Sequence, residues 1–349
     1  DLLGAESADD AGVAADADAN ASDPGVEEGS MRADVVRVAF APDAAGDLQP
    51  RRLEGTGEVL VAGGARRLWA DRVDAWFREP GASGDAGGGD ADIERVLAEG
   101  GVVVRLEGDR YAWSDRLELD AAERRTVLEG RDVHLLTPGD RLDGARRVEI
   151  RDAEDRASVD GPGLFRRFTP GDAAAAEPAM LAGRPLAPAV PADATSDFRV
   201  RWTRGLRIDP DADGGRRIEV TGDVDAASEA ISLRGADRVV AMLAPDADAD
   251  ADAADTTDTP AEGDAFAGAG ELRRIEADGR LSAIALQEDS SLDCRRLELD
   301  LRPGADGPTP ARLLATGDVR LRSPERRLWA ESLDVDFADV AGGEAAADT

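Results

Sequence analysis

The sequence predicts an all-β protein: an antiparallel β-jelly-roll or open β-taco built from repeated hairpins, in two domain equivalents with disordered acidic linkers. Three observations carry that expectation. Short segments alternate apolar and polar residues with period two, as in Arg217-Ile218-Glu219-Val220 and Leu297-Glu298-Leu299-Asp300-Leu301, which is the signature of half-buried strands. A unit of two such strands recurs along the chain. Between the strand-rich regions lie stretches of Ala, Asp, Gly and Pro that have no sustained apolar period.

The repeat is the strongest signal. Residues 53–77 and 313–337 align without a gap over 25 positions, of which 11 are identical. Weaker copies share the same two parts: a Gly followed by an aliphatic residue, then an alternating acidic and apolar strand. The first parts begin near Gly57, Gly101, Gly130, Gly222, Gly279 and Gly317, and the second parts centre on Val73, Leu117, Val148, Val239, Leu297 and Leu333. Within a copy the interval is 16 to 18 residues, enough for two strands and a turn. A single hairpin is only marginally stable in water, so the copies must stack and bury one another's apolar faces. Val159 to Phe165 and Phe198 to Ile208 fit no copy and are expected to close the first half and open the second. No helix is required; Ile93 to Ala98 allows one turn at most.

These boundaries give a disordered segment 1–30, a first β domain 31–168, a linker 169–197, a second β domain 198–338 carrying a disordered insertion 245–270, and a disordered tail 339–349. The stretch 80–92 reads as a further loop. Such segments bury too little apolar surface to offset the entropy of ordering them.

One face of each strand must point inward. The inward candidates, which would also line any apolar groove, are Leu68, Val73, Phe77, Leu117, Leu119, Val148, Ile150, Val239, Leu297, Leu299, Leu333, Val335 and Phe337. Parity conflicts in Leu68-Trp69-Ala70-Asp71-Arg72-Val73: strict alternation puts Trp69 and Asp71 on the face of Val73. A bulge that turns Leu68 and Ala70 inward before Val73 is the favoured resolution.

Net charge is −32, and all 42 basic residues are Arg. A polyanion of this size repels phosphate backbones, which excludes nucleic acid as the expected partner. The one Cys, Cys294, leaves no intramolecular disulfide, and the one His, His134, leaves no multi-His metal site. No apolar run approaches the ~18–20 residues of a membrane-spanning helix. Asp209-Pro210-Asp211-Ala212-Asp213-Gly214 has carboxylates at calcium-loop spacing, but Val220 stands where an EF-hand needs Glu, so a polar hairpin loop is the better account. Neither a phosphate loop nor a nucleophile elbow nor a dinucleotide fingerprint is present. The expectation is a protein that is not an enzyme and needs no cofactor or metal.

The repeat unit resembles the OstA-like (organic solvent tolerance) domains of the lipopolysaccharide-transport bridge. Gly57-Glu58-Val59 with Ala70-Asp71, and Gly317-Asp318-Val319 with Ala330-Glu331, carry the resemblance; Trp113-Ser114-Asp115 and Gly222-Asp223-Val224 match in part. It covers residues 50–168 and 198–337. The resemblance implies a periplasmic jelly roll, or one anchored to a membrane and facing the periplasm; the start at Asp1-Leu2-Leu3, without Met or a basic-then-apolar leader, reads as a fragment or processed form whose export signal or anchor, if any, is expected upstream. It implies that the apolar interior shields acyl chains of lipopolysaccharide or another envelope lipid. It further implies joining to other bridge proteins by edge-strand addition. Arg66, Arg67, Arg326 and Arg327 could meet lipid phosphates, or be solvated turn residues. The alternative is a structural or protein-interaction repeat whose interior is filled by its own side chains.

Overall fold

A computed structural model describes residues 30–42, 46–78, 93–168, 179–181, 183–187, 198–228, 231–245, 271–285, 290–304 and 308–337. The segments 1–29, 80–92, 246–270 and 339–349, given as disordered by the sequence, lie outside the described residues, as does most of the linker.

The first half contains β1 (Ser30–Arg32), β2 (Val35–Pro42), β3 (Leu48–Gly63), β4 (Arg66–Phe77), β5 (Ile93–Leu106), β6 (Arg110–Asp120), β7 (Arg125–Leu136), β8 (Asp140–Arg151), β9 (Arg156–Asp160) and β10 (Gly163–Arg167). Two short strands follow, β11 (Met180–Leu181) and β12 (Arg184–Pro185). The second half contains β13 (Phe198–Trp202), β14 (Gly205–Pro210), β15 (Arg216–Ser228), β16 (Ile231–Leu243), β17 (Leu272–Ala285), β18 (Ser290–Arg302), β19 (Thr309–Arg322) and β20 (Arg327–Asp336). Ile93 to Ala98 belongs to β5, not to a helical turn; the described residues hold only one 3-10 turn, Asp152–Glu154.

Apart from β11 and β12, the strands form one antiparallel 18-stranded sheet. From β3 to β8 and from β15 to β20 each strand pairs with the next. The two halves are joined by hydrogen bonds: β9 pairs β14 and β10 pairs β13. The two repeats are therefore units of sequence within one sheet, because the irregular segments between them are themselves strands that complete the ladder.

Every long strand is interrupted near its middle. In β3–β4 the register shifts between Thr56 and Val59, in β5–β6 between Glu99 and Val102, and in β19–β20 between Thr316 and Val319. These shifts line up across the sheet and bend it along one corner, dividing it into two walls. Wall A holds segments such as 66–70, 102–106, 110–114 and 140–144; wall B holds 72–77, 93–99, 116–120 and 146–151. Each repeat unit is one hairpin of two bent strands, with its turn on wall A. The repeated Gly sits at the corner of the first strand, and the alternating acidic segment is the part of the second strand that lies on wall B.

The corner explains the Gly-acid motif. Gly57 and Glu58 have φ of +76° and +42°, and Gly317 and Asp318 repeat this at +78° and +53°. Consecutive left-handed residues turn the strand sharply, and Gly at the first of them avoids the Cβ penalty. The corner also settles the parity conflict in β4. Leu68 and Ala70 face the main core together with Val73, while Trp69 joins a separate cluster on the outer face of wall A. The bulge falls between Trp69 and Arg72.

The main core runs between the walls through both halves, from Val59, Val73 and Ala98 by way of Trp202 and Leu206 to Leu297, Ala315 and Val319. It is built mostly of Val, Ala and Leu. Trp202 marks the junction of the halves. Its Nε1 donates to the Gly161 carbonyl at 3.1 Å, and a Cβ on Gly163 would collide with its ring.

Candidate functional site: an apolar trough between the walls

Between the walls of the first half lies a cavity of about 390 Å³. Wall A contributes Val104, Ala112, Leu135, Leu142 and Phe165; wall B contributes Leu117, Leu119, Leu128 and Ile150. Strand alternation places these side chains: on β6, Leu117 and Leu119 share one face while Glu118 takes the other. The mouth is polar. Arg110, Thr137 and Asp140 stand at the end of wall A, and Asp120, Arg124 and Asp152 at the end of wall B. An aliphatic slot of this size under a rim of guanidinium and carboxylate groups lies within the range of small-ligand pockets, ~300–1,000 Å³.

Of the inward candidates, Leu117, Leu119 and Ile150 line the cavity. Val73, Val148 and Leu297 are buried in the core instead, and Leu68, Val239 and Leu333 pack against it while partly exposed. Phe77, Leu299 and Val335 are partly exposed on wall B. Phe337 is 38% exposed and stands just beyond β20, so it is not an interior residue here. Sequence reasoning missed Leu128, Leu135, Leu142 and Phe165. Leu135 and Leu142 belong to wall A, whose inner face follows the bulge and cannot be counted from wall B.

The sheet has two free edges, because neither terminal strand has a second neighbour among the described residues. β2 pairs only with β3, and β20 only with β19. Val36, Val38 and Phe40 on β2 and Leu328 on β20 are exposed. Trp69 and its repeat counterpart Trp329 show the effect of position: Trp69, inside the sheet, is 7% exposed, and Trp329, on the last strand, is 64% exposed.

The outer face of wall B carries many charges, and those named here are paired. Glu149 accepts hydrogen bonds from Arg125 at 3.1 Å, Arg147 at 2.8 Å and Arg151 at 2.8 Å. Burial raises its pKa, but these three donors outweigh burial and bring it down to about 2. Glu219 with Arg238, Glu298 with Arg274 and Arg296, and Asp334 with Arg312 continue the pattern in the second half. This is the physical origin of the alternating acidic and apolar residues in the repeat: the apolar residue faces the trough and the acid binds an Arg of its own or a neighbouring strand.

The remaining sequence candidates have structural surroundings. His134 Nδ1 lies 2.8 Å from Asp143 Oδ1, and Asp143 also accepts from Arg141 and Arg166. Desolvation pushes the Asp143 carboxyl up, but the bonds from His134 and Arg141 hold it below its ordinary value. Cys294 is buried in the core opposite Leu281, and burial, helped by Asp293, pushes its thiol up to about 11. In the loop after Asp209, the Asp211 amide donates to the Gly215 carbonyl at 2.7 Å, closing a turn. Among the described residues no group of three or more His, Cys, Asp or Glu could hold a metal ion. Arg66 pairs with Glu107 across the wall A turns, at 3.7 Å.

Compared with known proteins, the chain matches no protein-family model and no curated sequence.

Proposed function

We propose that the protein is an extracytoplasmic lipid-binding and bridging protein of the OstA-like kind, which shields acyl chains in the trough between its walls. The observation that supports this most directly is the cavity lined by Leu117, Leu119, Leu128 and Ile150, with Arg110 and Arg124 at its mouth. Aliphatic side chains receive a hydrocarbon tail by the hydrophobic effect alone. Guanidinium groups at the mouth suit a phosphorylated headgroup, since they donate in a planar fork. No step of catalysis belongs to this reading. The unpaired edges of β2 and β20 suit addition of a strand from a neighbouring bridge protein, which would continue the trough from one molecule to the next.

A second reading has its own support. Val73, Val148, Val159 and Val224 are sealed against the protein's own side chains, so much of the interior is filled. A repeat that serves only as a structural or interaction scaffold would look like this away from the cavity.

Native mass spectrometry of the chain with purified lipopolysaccharide separates the two. Retained lipid that is lost in the Leu119→Asp, Ile150→Asp double variant, with unchanged far-UV circular dichroism, supports the carrier. A chain that holds no lipopolysaccharide and no other envelope lipid supports the scaffold.

A further inference from the structure

Residues 179–181 and 183–187 fall in the stretch that the sequence gives as linker, yet they are docked on the outer face of wall A. β11 and β12 pair Met180 with Pro185 and Leu181 with Arg184, and the Leu186 amide donates to the Ala179 carbonyl at 2.8 Å. Among the described residues of this segment, two side chains are engaged. Pro185 is buried, and its carbonyl accepts from Trp113 Nε1 at 3.1 Å. Tyr111 stacks on Trp113 with ring centroids 5.6 Å apart, and both belong to the outer cluster with Trp69 and Val103. The Arg184 guanidinium reaches the Asp71 carboxylate at 3.3 Å and the Gly100 carbonyl at 2.8 Å, and it also donates to the Gly101 carbonyl. By contrast, Met180 and Leu181 are 59% and 63% exposed.

This arrangement selects a dipeptide. An aromatic face with an indole N–H aimed at a carbonyl is the way aromatic grooves take proline-bearing segments. A carboxylate and two backbone carbonyls gather around the two terminal nitrogens of the guanidinium, while its buried Nε has no partner; a planar fork with two donor ends suits Arg better than Lys. The receptor groups come from three adjacent strands, β4, β5 and β6, and are fixed by the sheet. A Cβ on Gly101 would stand 3.2 Å from Arg184 Nη2, so the glycine also leaves room for the guanidinium.

We propose that this surface is a recognition site for an arginine–proline turn, with the chain's own residues 183–186 as its resident occupant and the same dipeptide in trans as an exchangeable one. A contact this small has low intrinsic affinity, and tethering holds it closed by effective concentration. Releasing the resident turn therefore opens the site to another polypeptide. The inference does not depend on what the trough carries.

The test uses the whole chain and a peptide with the sequence of residues 179–187. In the Arg184→Asp, Pro185→Gly chain the peptide should shift the Trp113 indole resonance, with affinity at least tenfold above that for the native chain. Adding Asp71→Asn, or replacing the peptide's Arg by Ala, should weaken binding at least tenfold. If the double variant does not fold, Arg184→Ala alone, which only trims a side chain of the turn, takes its place. Absence of peptide binding to a folded variant overturns the proposal. So does equal binding to variant and native chains, or binding indifferent to Asp71.

Discussion

Arg125 on β7 and Glu149 on β8 meet across the outer face of wall B at 3.1 Å, although Cα pairing sets Glu149 opposite Val127. Glu149 also binds Arg147 and Arg151, and its pKa stands near 2 in the fold against 4.5 for the free carboxyl. A carboxyl held low by the folded state adds stability that is complete above its unfolded pKa and is lost as pH falls toward the folded value. Glu149 should therefore stabilise the protein at neutral pH and lose that contribution between about pH 4.5 and 2. After allowance for solvent screening, Glu149→Gln should cost ~1–2 kcal/mol at pH 7. Urea unfolding of both chains across this range should show the gap closing with acid; a constant gap contradicts the assignment.

The corner yields a second prediction. Gly100 has φ of +84°, and a Cβ there would lie 2.7 Å from the Cβ of Asp71 on the adjacent strand. Gly100→Ala introduces both backbone strain and a clash, at ~1–3 kcal/mol. Gly63, near the wall A turn, has open space around its Cβ position and no positive φ, so Gly63→Ala should change stability little. Thermal melts of the two variants compare the sites directly; equal melting temperatures would mean that the corner is not a steric requirement.

These corners also show what was legible in the sequence. Strand alternation, the hairpin repeat and the bulge at Ala70 to Arg72 could all be read, because period, spacing and parity are properties of the chain itself. The inner residues of wall A could not all be read, since each bulge resets the count and its exact position is a tertiary fact. The docked turn at Arg184 and Pro185 was hidden for a different reason. A stretch of Ala, Gly and Pro looks like linker when the aromatic surface that receives it comes from strands β4, β5 and β6, far away in sequence. The burial of Val127 and Val240 on the charged outer face of wall B was likewise unreadable, because it depends on side chains of neighbouring strands that cover them.

The cavity can be tested for size as well as chemistry. Leu119 lines it while keeping partial exposure, so Leu119→Trp can extend into the space without displacing the sealed core. If the cavity is the acyl site, this substitution should leave the unfolding free energy within ~1 kcal/mol of the native value and lower the affinity for a fluorescent long-chain fatty acid at least tenfold. Unchanged affinity in a folded variant would place any acyl binding elsewhere.

The free edges provide the last prediction. Val36 and Val38 lie opposite Gly55 and Leu53 of β3, and both are exposed, with no described strand on the far side of β2. Arg37 between them sits across from Glu54 and is 3.8 Å from its carboxylate, so the outer face of this edge is already charged while the inner face is aliphatic. An unpaired edge of this kind offers backbone hydrogen bonds and apolar surface together, which is the combination that promotes strand addition. Val36→Lys with Val38→Lys keeps the β2–β3 ladder, since no backbone donor is removed, but places two charges on the inner face. Sedimentation velocity over rising concentration should show the native chain associating and the double variant remaining a monomer. If both chains associate alike, β2 is not the joining edge, and Trp329→Lys on β20 then tests the other end of the sheet.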